Sequence, residues 1–258
     1  MLREIFRYRD LFLMLTLRDI KIRYKQSFMG FLWAIFMPMV AVFAGLLVRI
    51  AMAVVSDKAI VLSDVVTISV KVLPWTFFIS AIKFSVQSLV GNRELITKIY
   101  FPREVLPFAS IAACLFDFLV ACLTLSVILA IAGIGISVHI LLLPLLFLFL
   151  ILFTSGLGLL LANFNLFYRD VKYVVETILI FGIFFTPVFY DASTFGRWEV
   201  FLLLNPIGSI LESINSVVVL HKMPDIFWLW YAGISSALLF TFGLIIFHKN
   251  EPLFAENI

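Results

Sequence analysis

Six runs of apolar residues, at about 29–54, 73–91, 105–133, 139–163, 173–190 and 226–248, dominate this chain. Each is near or above the roughly 20 residues that a helix needs to cross a bilayer. They constrain the fold more than any motif, because backbone in hydrocarbon must satisfy its own N–H and C=O groups. Composition agrees: 63% of the 258 residues are hydrophobic and 14% are charged, against about half and a quarter in soluble domains. Mean hydropathy is +1.13. The expectation is an all-α integral membrane protein in one domain, 1–258. Residues 1–28 form a cytoplasmic and interface segment, 29–248 a six-span bundle, and 249–258 a cytoplasmic tail. No loop is long enough for a second domain, and no internal repeat is visible.

Lys and Arg orient the bundle. The start, "MLREIFRYRD", is followed by charges up to Lys25 and then by a full-length apolar run, so it reads as retained and cytoplasmic rather than as a cleaved signal. Arg3, Arg7, Arg9, Arg18, Lys21, Arg23, Lys25, Arg93, Lys98, Arg103, Arg169, Lys172 and Lys249 then fall inside. Lys58, Lys71, Arg197 and Lys222 fall outside, a bias of 13 to 4. Trp75, Trp198, Trp228 and Trp230 fall at the outer interface, where amphipathic rings settle. Both termini are expected in the cytoplasm.

Two segments are half-apolar. Residues 11–25 place Leu13, Leu17, Ile20 and Tyr24 on one helical face and Arg18, Lys21 and Lys25 on another, the pattern of an amphipathic helix in the membrane interface. Residues 195–221 are interrupted at Asn205-Pro206, so a broken pair of short helices at the outer leaflet, between spans five and six, fits better than another span.

The segment "GNRELITKIYFPREVLP", Gly91 to Pro107, falls in the cytoplasm on this topology. Asn92 is a candidate N-cap, and Pro102 biases the preceding residue away from helix, which predicts a short helix over 93–100. Arg93, Glu94 and Lys98 give it a polar surface, and Leu95, Ile96, Ile99, Tyr100 and Phe101 an apolar one. Five large apolar side chains in a cytoplasmic loop suit a groove in another protein, or packing against the chain itself.

Lys83 and Asp117 both fall near mid-span on consecutive antiparallel helices. A lone charge there costs roughly 2.5–3.5 kcal/mol on insertion scales, so the two are expected to pair or to share a polar network. Arg49 lies toward the outer end of the first span, within snorkelling reach of the interface. Most of the 29 phenylalanines must face lipid or fill helix contacts, but a few aromatics, with Trp33, Phe36, Trp75, Phe189 and Tyr190 as candidates, could line a pore against the C–H faces of sugars. Cys114 and Cys122, eight apart on one helix, stand about 12 Å apart and cannot bridge.

Catalytic chemistry is hard to place. His139, His221 and His248 are scattered, with no metal-ligand spacing and no nucleophile elbow, so neither a catalytic residue nor a metal site is expected. No Gly is followed by Lys, so there is no phosphate-cradling Gly-x-x-x-x-Gly-Lys loop, and this chain is expected to bind no cofactor itself. No basic run lies away from the membrane flanks, which argues against nucleic acid.

The loop "NRELITKIYFPREVLP" resembles the coupling loop of ABC transporter permeases that export polysaccharides such as O-antigen, capsule and teichoic acid. "LTLRDIKIRYKQSFMGFLWAIFMP" (15–38) is similar to the opening of that family, "FYRDVKYV" (167–174) to its second cytoplasmic loop, and "FFTPVFYD" (184–191) with "NPIGSILESINSVVVLHKMPD" (205–225) to its outer end. One departure is visible: the family often carries an arginine a few residues beyond the Asn-Pro, where this chain reads Glu212, Ser213, Ile214, Asn215. The resemblance implies a homodimer in the bacterial inner membrane that moves a lipid-linked polysaccharide outward. Two copies of a separate ATP-binding subunit would carry the ATP and Mg, with Leu95 to Phe101 in that partner's groove and Arg93, Glu94 and Lys98 on its rim. The same architecture would equally serve a teichoic-acid precursor, capsule or a different amphiphile. Beside the ATP-driven exporter stand an ion-driven secondary transporter working through Lys83 and Asp117, and a membrane scaffold without transport.

Overall fold

The computed structural model describes residues 8–25, 32–55, 62–131, 133, 135 and 137–254. Among these residues the chain is all-helical, with no strand. Helix α1 (Arg9–Tyr24) is followed by α2 (Trp33–Val55), α3 (Leu62–Gly91), the short α4 (Arg93–Lys98), α5 (Val105–Ile131), α6 (Leu143–Phe167), α7 (Val171–Gly182), α8 (Glu199–Leu203), α9 (Pro206–Val218) and α10 (Ile226–Asn250). Turns of 3-10 helix precede α6 and α8 and follow α10.

Five helices, α2, α3, α5, α6 and α10, are long and apolar enough to cross a membrane. The expected fifth span, 173–190, takes a different form. Its helix α7 has 12 residues, about 18 Å of rise and little more than half a bilayer core. It ends at Gly182, and residues 183–191 continue as turns around Pro187, which has no N–H to extend a helix. Breaking apolar backbone here is tolerable because protein covers it: Thr186 donates to the Gly182 carbonyl, and Asn205 donates to the Thr186 hydroxyl at 2.9 Å. The predicted break at Asn205-Pro206 is present. Asn205 caps α9 by accepting from the Ile207 N–H, with Pro206 at the first helical position.

The bundle packs around α3, the most buried of the long helices. It begins at Leu62 rather than at 73, and two expectations change as a result. Lys71, placed above in an outer loop, lies inside α3 and is completely buried. Trp75, placed above at the outer interface, is 3% exposed and stacks on Phe78 inside the core. Helices α6 and α10 touch through glycines: a Cβ on Gly243 would lie 2.5 Å from the Gly156 carbonyl oxygen, and one on Gly156 would lie 2.6 Å from the Phe240 nitrogen. Small residues let helix backbones approach this closely where hydrophobicity alone cannot drive association.

Helix α2 is the least buried of the long helices. One side packs on α3 and α5, while residues such as Leu47, Ile50 and Val54 are exposed.

Candidate functional site

The 92–104 loop sits on a second apolar cluster, separate from the bundle core. Leu15 of α1, Leu89 of α3, Ile96 and Phe101 of the loop, Leu106 of α5, Leu159 and Leu166 of α6, and Phe247 of α10 with Phe254 beyond it meet there. The ends of five long elements are thus joined through one small loop.

Helix α4 is shorter than expected, six residues over 93–98. Asn92 does not cap it with its side chain; the Asn92 amide instead donates to the Ser88 carbonyl at 2.8 Å and closes the end of α3. Ile99 turns extended, carrying the chain toward Pro102.

The predicted apolar face divides in two. Ile96 and Phe101, each 4% exposed, point into the chain's own cluster, so they are not free to enter a partner's groove. A six-residue helix lying on a bundle end must bury one face, and these two residues supply it. Leu95 is half-buried against the same cluster. Ile99 and Tyr100 remain outward, Tyr100 at 92% exposure. Around them Arg93, Glu94 and Lys98 are exposed, with Lys98 and Glu94 paired at 3.2 Å.

Past Pro102 the loop is fastened to the end of α10. The Arg103 N–H donates to the Glu251 carboxylate at 3.2 Å, and the Arg103 guanidinium donates to the Glu251 carbonyl. Glu104, buried, faces His248 Nε2 at 3.1 Å. His248 Nδ1 lies 3.1 Å from the Leu244 carbonyl, which can only accept, so Nδ1 carries a proton. Glu104, His248 and Glu251 bring potential ligand atoms within 4.8 Å of one another. No sequence spacing could announce this group, which joins the start of α5 to the end of α10.

Lys83 and Asp117 do not pair. Asp117 accepts from Arg23 at 2.6 Å and from the Tyr24 hydroxyl at 2.5 Å. Among the described residues Lys83 has no carboxylate partner. The expectation failed because it considered only the spans: α1 packs on α5 and delivers its last turn to Asp117. Burial, and then the Asp117 hydrogen bond, push the Tyr24 phenol above its ordinary value. Arg23, which sequence reasoning read only as an inside charge, also lies over the Phe84 ring at 4.0 Å. Of the predicted basic face on α1, Lys21 and Lys25 are exposed and Arg18 pairs with Asp19 at 2.9 Å; Leu13 and Leu17 are exposed as well, while Leu15 anchors the helix.

The candidate pore aromatics separate too. Trp75 and Phe189 are buried in the core, and Trp75 also lines a cavity of about 310 Å³ with Phe153, Gly182 and Phe185. Tyr190 donates to the Phe184 carbonyl at 2.7 Å and meets Phe195 edge-on. Trp33 and Phe36 stack edge-on at 5.5 Å. Trp33 lines a cavity of about 220 Å³ with Arg23, Tyr24 and Asp117, and Phe36 an adjacent apolar one of about 510 Å³ between α2 and α5.

A helical bundle of this kind, with five helices long and apolar enough to cross a membrane and a charged loop helix seated across their ends, is that of a multi-pass membrane protein. The chain belongs to the ABC-2 type transporter family, whose profile matches residues 10–219. It is similar to the O-antigen export system permease protein RfbA of Myxococcus xanthus, 30% identical over all of this chain and 99% of that protein. It is also similar to two proteins of the same name from Klebsiella pneumoniae, 27% and 26% identical over 96% of this chain and 94% of each.

Proposed function

We propose that the chain is the transmembrane subunit of an ATP-driven exporter that moves a lipid-linked, O-antigen-like polysaccharide outward across the bacterial inner membrane. It works as a homodimer with two copies of a separate ATP-binding subunit, which hold the ATP and Mg; this chain performs no catalysis. The 92–104 loop and both termini are cytoplasmic. The observation that carries the reading is the division of the loop. Ile99 and Tyr100 project outward within a charged rim, while Ile96 and Phe101 root the same loop in the ends of α1, α3, α5, α6 and α10. A push received on the outer face is delivered to the spans, the device that switching by rigid-body rocking needs. The names of the relatives supply the cargo class.

Co-expression with the cognate ATP-binding subunit and native mass spectrometry test this. The expected particle has two copies of each subunit, and Ile99→Asp with Tyr100→Asp releases the ATPase while the permease stays folded. A stable permease that never retains the ATPase, with transport abolished by an uncoupler, would overturn the reading in favour of an ion-driven carrier.

A further inference from the structure

At the end of the bundle away from the 92–104 loop, five charged side chains form one connected chain. Lys71, completely buried in α3, places its ammonium 2.8 Å from Glu212 of α9 and 2.9 Å from Asp191, and donates to the Tyr190 carbonyl at 3.1 Å. Its three protons therefore have three acceptors. Glu212 uses the same oxygen to accept the Ala192 N–H at 2.7 Å, so α9 and the 188–192 turn are held together through it. Asp191 is shared with a second cation: the guanidinium of Arg49, on α2, lies 3.3 Å from Asp191 and 2.6 Å from Asp64 of α3.

The connectivity matters more than the number of pairs. Arg49 ties the far end of α2, the least buried long helix, to the bundle. Asp191 passes that tie to Lys71, and Lys71 passes it to α9. Movement of α2 away from α3 withdraws one of the two cations on Asp191, and the turn and α9 then depend on Lys71 alone. Because Lys71 is fully buried, withdrawing a partner from it leaves a costly unpaired charge, unlike the graded contacts of an apolar seam. Burial alone would raise the Asp191 carboxyl, yet Lys71 and Arg49 hold it below its ordinary value, so it is ionised and paired at neutral pH.

We infer that Lys71 is the positioning residue of an exit lock: with Asp191 and Glu212 it holds the 188–192 turn and α9 shut against α3, and Arg49 makes the lock sensitive to the position of α2. The inference rests on the proposed reading, in which cargo leaves at this end. It also gives a reason for Glu212: a carboxylate held in the bundle there needs a cation, and the buried Lys71 is that cation.

The test uses the permease with its ATP-binding subunit, nucleotide-free, in sealed vesicles, and measures passive efflux of a trapped small fluorophore. Lys71→Met keeps the side-chain volume and removes the cation. Lys71→Met/Glu212→Gln also removes one of the carboxylates left behind, which separates charge balance from positioning. The expected result is efflux raised about tenfold in both, within the range that couplings between packed elements span, with the double variant unfolding at a temperature near that of the unaltered protein. Arg49→Gln, at a partly exposed site, is expected to raise efflux less. If the double variant and Arg49→Gln are both as tight as the unaltered protein, Lys71 only balances charge and the lock is wrong. ATP-driven export in the same vesicles is read separately: leaky variants beside an unaltered protein that exports nothing sink the exporter reading and leave the lock standing.

Discussion

The two ends of the molecule solve one problem in opposite ways. Each must join several helices to a short connecting segment. At the loop end the join is mainly apolar: Ile96 and Phe101 fill a cluster of Leu and Phe side chains, beside which Arg103 and the buried Glu104 meet Glu251 and His248 at the end of α10. At the far end it is ionic: Lys71, Arg49, Asp64, Asp191 and Glu212 are threaded between apolar walls. An apolar join yields by small shifts and transmits force continuously, because no contact in it is worth much alone. An ionic join in a low-dielectric site holds until a partner leaves, and then the remaining charge is costly. The first suits a segment that must follow a push, the second a segment that must stay shut until released.

The sharpest way to break this comparison is at Lys71. Removing one partner of a buried ion pair costs about 3–5 kcal/mol. Lys71→Met is therefore expected to lower the unfolding temperature strongly, and Glu212→Gln added to it to recover most of the loss. Denaturation followed by the near-ultraviolet signal of the five tryptophans measures both. If the single variant unfolds like the unaltered protein, the far end is held by packing, and the contrast between the ends disappears.

The corresponding test at the loop end is Ile96→Ala. Truncating a buried Ile costs about 2–5 kcal/mol, toward the lower end where the site can collapse. The loop lies at the edge of the bundle, so a cost of about 2 kcal/mol is expected. Retention of the ATP-binding subunit should survive, because Ile99 and Tyr100 are untouched, while ATP-driven export should fall. Equal loss of subunit retention and export would show that Ile96 meets the partner after all.

Arg23 and Asp117 stand between these extremes: one ion pair, half in the protein, with Tyr24 beside it. A double-mutant cycle of Arg23→Gln and Asp117→Asn should give a coupling of about 1 kcal/mol, within the roughly 0.5–3 kcal/mol found for groups in direct contact. Replacing Asp117 together with Lys83 should give none. Coupling to Lys83 instead would restore the expectation that the structure corrected.

These residues also show where the sequence was informative and where it was not. Helix type and most span ends followed from the apolar runs, because the bilayer sets length and leaves helices as the simplest solution. The break at Asn205-Pro206 was visible for the same kind of local reason. The start of α3 was not. Lys71 reads as a loop charge in any window of neighbours, and only Asp191 and Glu212, over a hundred residues later, explain its burial. Asp117 misled in the same way: mid-span position predicted that it needs a cation, but the choice between Lys83 and Arg23 depended on how α1 packs, which periodicity does not report. At the loop, composition identified a surface with two uses, docking or self-packing, and the fold assigns different residues to each.

The smallest expected effect concerns pH, and it separates the ends by what it leaves unchanged. Asp191 faces two cations, Lys71 and Arg49, with Glu212 and Asp64 on those same cations. Burial by itself would raise its carboxyl, but the two cations leave it below the ordinary 3.8. A carboxyl depressed on folding stabilises the folded form fully above its unfolded value, and that contribution is lost as pH falls through the lower folded value. The far end should therefore stay shut as pH is lowered from neutral to about 4, with opening confined to more acid conditions. Efflux from vesicles bearing the unaltered complex, measured across a pH series on the side of the far end, checks this. A rise in efflux already between about pH 7 and 5 would mean that Asp191 is not held ionised by Lys71 and Arg49. A flat profile that Arg49→Gln bends upward at its acid end would place the second cation on Asp191 at the position of α2, which is what a lock that reads that helix requires.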